Sequence, residues 1–201
     1  MKRLVLTIIA LASIHFLFSQ GLTKEERKAA LKNLKWSTKE MKKSLKGLSG
    51  AQLNFHENGD RWSIQDCLYH IAFSEGALRS ALDGALSAPA NPAAKAELKA
   101  TDDQIKAMIT SRANRVKTAP PFEPLNTGFK SYDEALNAFK SKREALMNLV
   151  KTTNIDMRNH IVELPFAKMD AYQFVLFISG HTNRHTQQMD EVKMASSYPK
   201  I

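Results

Sequence analysis

A single cysteine among 201 residues leaves this chain no intrachain disulfide. Cys67 sits beside Leu68 on an apolar stretch, where a thiol packs as a small inert side chain and makes at most a weak metal ligand. No glycine-rich phosphate loop, serine nucleophile elbow or glycosidase-type carboxylate pair can be found. The HxxxH spacing of His181 and His185 lacks the glutamate of a zinc protease, because residue 182 is threonine. Long apolar runs are missing too, apart from Leu4 to Phe18, which is too short to span a bilayer comfortably.

That apolar run follows Met1-Lys2-Arg3 and has the layout of a secretory signal peptide, so residues 1–21 are expected to be removed and the protein exported, to a periplasmic or extracellular site. Cleavage after Gly21 places Ser19 and Gly21 at the two small-residue positions, although a cut nearer Ser19 or Gln20 also fits. An uncleaved anchor or a buried apolar helix is the alternative. With no cysteine in or just after the segment, a lipid-modified mature start is excluded. The rest, residues 22–201, is the size of one domain with one core. The mature chain has no run that would cross a membrane.

The chain carries a formal charge of +9, and losing Lys2 and Arg3 with the leader leaves 27 basic against 20 acidic residues. The excess is local. Nine basic residues (24, 27, 28, 32, 35, 39, 42, 43 and 46) face only Glu25, Glu26 and Glu40 in the same stretch. With no aromatic interleaving or base-reading motif beside it, this reads first as a solvated outer face, and nucleic acid is not an expected partner. The alternative is a non-enzymatic envelope binding module whose basic first helix engages an anionic partner.

Thr23-Lys24-Glu25-Glu26 forms a capping box, after which Leu31, Leu34, Thr38, Met41, Leu45 and Leu48 recur at helical spacing. The stretch from Ala51 to Arg61 has loop composition. Ser63 caps a second helix, to Leu86, with Trp62 positioned as a hydrophobic staple. Residues Ser87 to Ala100, rich in alanine with Pro89 and Pro92, predict a long connection. Thr101 then caps a shorter helix to about Lys117, Ser131 opens another, and a last one begins near Asp170. No convincing strand pair and no internal repeat is present. Four long helices and one short one predict an all-α bundle, whose core commonly hosts sites built from facing helices.

Three histidines carry the candidate chemistry. His181 and His185, four residues apart, share a helical face about 6 Å apart along the axis. His70, on the second helix, is the best-placed source of a third nitrogen. Three neutral imidazoles suit a divalent transition metal that keeps a position open for water or substrate; zinc and nickel head a set that includes manganese, iron and copper. Gln188, on the face of His185, is placed to orient a water or ligand, and Asp66, one turn before His70, to hold an imidazole nitrogen from behind. The plainer readings are a surface side chain for Gln188 and a first-turn acid favoured by the helix dipole for Asp66. His56 and His160 lie in loop-like regions and are expected to face solvent. No residue declares itself as a catalytic acid, base or nucleophile.

Trp62-Ser63-Ile64-Gln65-Asp66-Cys67-Leu68-Tyr69-His70, taken with Gly180-His181-Thr182-Asn183-Arg184-His185-Thr186-Gln187-Gln188, resembles the DinB-like (YfiT) superfamily. The resemblance implies a four-helix bundle with a long crossover, here elaborated between Ser87 and Lys130 with an extra short helix. It implies His70, His181 and His185 as metal ligands, and Pro165-Phe166-Ala167 as the turn before the histidine-bearing helix. It also implies a metal-dependent hydrolase or a transferase that uses low-molecular-weight thiols, and a homodimer. Such thiols are cytoplasmic, which conflicts with the leader. The substrate would be a small molecule of unknown identity.

Overall fold

The computed structural model describes residues 21–113 and 116–200. The expected signal peptide, apart from Gly21, lies outside the described residues. Four long helices make the frame: α1 (Lys24–Leu45), α3 (Ile64–Ser87), α6 (Tyr132–Thr152) and α7 (Ala171–Lys193). Helix α1 packs on α7 and α6, and α3 packs on the same two, which closes a four-helix bundle. The single helical turn α2 (Gly50–Leu53) lies within the expected first loop. The connection from α3 to α6 carries α4 (Pro92–Glu97), α5 (Asp102–Thr110) and two 3₁₀ turns, Pro120–Phe122 and Pro124–Asn126.

Local chemistry sets the helix starts. Thr23, Ser63 and Thr101 each accept from the N–H three residues on, while the side chain there accepts from the cap's own N–H. Each reciprocal pair satisfies two donors that a helix terminus otherwise leaves unpaired. Ser131 caps α6 in the simpler way, accepting from Glu134. Helix α5 stops at Thr110, short of the expected Lys117. It lies along α7 where Gly180 has no side chain, and a methyl group there would collide with Ile109.

One correction concerns strands. Ile161–Leu164 (β1) and Ala167–Asp170 (β2) pair antiparallel, Ile161 opposite Asp170 and Leu164 opposite Ala167, around a turn at Pro165 and Phe166. Four-residue strands give too little alternation to be read from sequence. The hairpin leads straight into α7, whose cap is Asp170. It also overturns the expectation for His160. That ring is buried, and its Nδ1 lies 3.0 Å from the Ala85 carbonyl oxygen at the end of α3.

Two apolar clusters fill the bundle. One gathers Leu34, Leu146, Val150, Phe174 and Ile178; the other gathers Met41, Leu68, Ile71, Phe139 and Met189. Between them, each long helix contributes a buried polar residue: Ser37, Glu75, Arg143 and Thr182. Arg143 donates from Nε and Nη2 to the two Glu75 carboxylate oxygens, at 2.6 and 2.8 Å. It also donates to Thr182 Oγ1 at 2.7 Å and to Ser37 Oγ at 3.0 Å. A buried ion pair persists when its remaining donors and acceptors are met, as they are here.

Candidate metal centre

Helix α7 delivers His181 and His185 to one side of the bundle, and α3 brings His70 against them. One nitrogen from each of the three lies within 4.8 Å of the other two. The Nε2 atoms of His70 and His181 are 3.1 Å apart. Two ligands on a tetrahedral ion, each bonded at about 2.0–2.1 Å, stand roughly 3.3 Å from one another. This spacing therefore fits a shared cation.

The outer nitrogens strengthen the fit. His70 Nδ1 lies 2.8 Å from the Phe122 carbonyl oxygen, and His185 Nδ1 lies 3.0 Å from Gln188 Oε1. A carbonyl can only accept, so each ring carries its proton on Nδ1 and leaves an Nε2 lone pair. The His70 lone pair faces His181. Burial holds the His70 pKa below the ordinary imidazole value, opposed by the Phe122 hydrogen bond. Burial also holds His181 and His185 well below it, helped by the other imidazoles and nearby arginines. The rings are thus kept neutral, the form that ligates.

Packing fixes the rings further. The indole of Trp62 stacks on His185 with centroids 5.8 Å apart and tilts over His70 at 4.9 Å. His181 stacks on Phe177 and keeps partial access to solvent, whereas His70 and His185 are buried. A cleft of about 250 Å³ reaches His185 between Arg61, Trp62, Arg112, Arg184 and Gln188. The histidine cluster thus adjoins a cavity large enough for a small molecule.

Two expectations change. Asp66 does not hold His70 from behind: its carboxylate accepts from the Ser63 N–H at 2.9 Å and lies 3.5 Å from Nε2 of the exposed His56. The Phe122 carbonyl, 52 residues along the chain, takes that place. Trp62 covers the imidazoles in addition to preceding the cap. Gln188 does lie beside the site, and its partner is the His185 ring. Cys67 is buried in the core, its thiol pKa raised by burial, and it is not part of the histidine group.

A family model described as the DinB superfamily matches residues 33–189. The chain belongs to the DinB superfamily. In fold, the chain is similar to the structure of YfiT from Bacillus subtilis, with a TM-score of 0.60 at 12% identity, covering 89% of this chain and 92% of that one. YfiT is described as a probable metal-dependent hydrolase with an unusual four-helix bundle topology. The chain is also similar to YuaE of Bacillus subtilis strain 168, an uncharacterized protein. It is 26% identical over 150 residues, covering 74% of this chain and 88% of that protein.

Proposed function

We propose that this DinB protein is an exported metal-dependent hydrolase that binds a divalent ion through His70, His181 and His185 and acts on a small molecule in the adjoining cleft. The observation that carries this reading is the convergence of three neutral imidazoles, two of them with the outer nitrogen already engaged. The description of YfiT supports the choice of hydrolysis. Water as the acceptor also needs no cytoplasmic thiol, which agrees with the leader expected at residues 1–21. A bound divalent ion would supply Lewis acidity, bringing the pKa of a coordinated water toward about 7.

The chain's own residues divide the remaining work. Phe122 and Gln188 hold His70 and His185 in the ligating tautomer, Trp62 packs over both rings, and His185 lines the cleft. Ser74 Oγ, 3.5 Å from His70 Nε2, is the nearest hydroxyl on α3. Glu75 is engaged by Arg143 and is not free to act as a base.

Elemental analysis tests the reading. The purified protein should carry about one equivalent of a divalent transition metal, and a variant combining His181→Ala with His185→Ala should carry almost none. Equal content in the two would overturn it. Ester or amide hydrolysis should disappear on chelation and return with the ion.

A further inference from the structure

The lysines of α1 are aligned. At about 100° of rotation per residue, the seven lysines from Lys24 to Lys43 fall within an arc of roughly 100° along a helix about 33 Å long, and Lys46 follows at the C-cap. Every one is exposed, while the opposite face, carrying Leu34 and Met41, is buried in the bundle. Arg27 stands off the stripe, its guanidinium donating to the carbonyls of Val150 and Thr153. Glu25 is the one acid inside the arc. On its margin lies Trp36, 48% exposed. Contrary to the expectation of a basic face without aromatics, it carries an exposed indole at its margin.

We propose that this face docks the protein on an anionic lipid surface, with Trp36 seated at headgroup level. The proposal is independent of the histidine site. Charge complementarity is its first support, since a straight row of lysines on a convex helix face fits a plane of like charges along its whole length. Lysine also suits such a surface better than a patterned partner, because a compact mobile ammonium takes any nearby phosphate, whereas directed phosphate and base contacts favour the arginine fork. Tryptophan supplies the second support. Its ring has an apolar body and a polar N–H, the combination enriched at membrane interfaces, and one ring cannot stack successive bases of a nucleic acid strand. Among the described residues no helix is long and apolar enough to cross a membrane, so the contact is peripheral.

Cosedimentation of the mature protein, residues 22–201, with phosphatidylcholine vesicles, alone or with an equal part of phosphatidylglycerol, tests this. Binding should require phosphatidylglycerol and disappear as salt shortens the Debye length from about 10 to 3 Å. Combining Lys28→Glu, Lys32→Glu, Lys35→Glu and Lys39→Glu should weaken it about a thousandfold or more, at about 1 kcal/mol for each lysine lost. Tryptophan emission should shift to the blue on binding, and Trp36→Phe should abolish the shift in a protein whose charge is unaltered. Equal binding to neutral vesicles would overturn the proposal, as would undiminished binding by the charge-reversed variant. Retention of duplex DNA by a protein that ignores vesicles would overturn it in favour of a nucleic acid partner.

Discussion

Gln188 and Phe122 hold the far sides of two imidazoles by different means. Gln188 is local, three residues past His185 on the same helix, and its Oε1 fixes the tautomer of that ring. Gln188→Ala frees the ring to rotate and removes the acceptor that raises its basicity. The expected result is a metal affinity about 10–100-fold weaker with little change in stability, measured by competition with a chelator. Unchanged affinity would mean that Gln188 is a bystander. Its place was legible in the sequence because i and i+3 share a helix face. The Phe122 contact was not, because a backbone carbonyl in a long connection carries no sequence signal for the imidazole it meets. Asp66 has the right spacing, one turn before His70, but the cap at Ser63 already claims its carboxylate.

At the level of helices, the capping boxes and the apolar spacing made the four long elements readable. What they conceal is how the elements lock together. Arg143 lies between Phe139 and Leu146 on the buried stripe of α6, and Ser37 lies between Leu34 and Met41 on α1. A charge within an apolar stripe was the available clue to the polar layer. Arg143→Met strands Glu75 without a partner and should cost about 3–5 kcal/mol, whereas adding Glu75→Leu should recover most of the loss. Urea denaturation of the single and double variants decides this. A double variant as unstable as the single one would show that Ser37 and Thr182 need the guanidinium as much as Glu75 does. The β-hairpin escaped the sequence reading because its strands are too short to display a period.

Across the whole molecule, Arg158 fastens several elements at one end. Its guanidinium reaches Glu26 at 2.8 Å, Asp102 at 2.8 Å and the buried Asp170 at 3.0 Å, and lies 4.1 Å over the Tyr172 ring. It thereby joins the starts of α1, α5 and α7. Burial raises the Glu26 pKa, but the Thr23 N–H and Arg158 outweigh it and leave the carboxyl below its ordinary value. Asp102 is lowered chiefly by its hydrogen bond to Arg158. On acidification the unfolded chain therefore takes up these protons first. The stabilisation is complete above the unfolded pKa values of about 3.9–4.3 and is lost as the pH falls through the lower folded values. Denaturation across a pH series should show stability declining below about pH 5, with a shallower decline in Arg158→Met. Parallel declines would assign the acid sensitivity to other groups.

The Phe122 carbonyl ties the crossover to the proposed ion site. An imidazole bound to a cation through Nε2 becomes a stronger donor at Nδ1, so an ion held by His70 would tighten the grip of that ring on a turn 52 residues away. Reciprocity then requires that anything pinning the crossover to the bundle would also strengthen the ion's binding. Proteases that nick the chain between α5 and α6 would sense the same coupling, finding the loaded protein the harder one to cut.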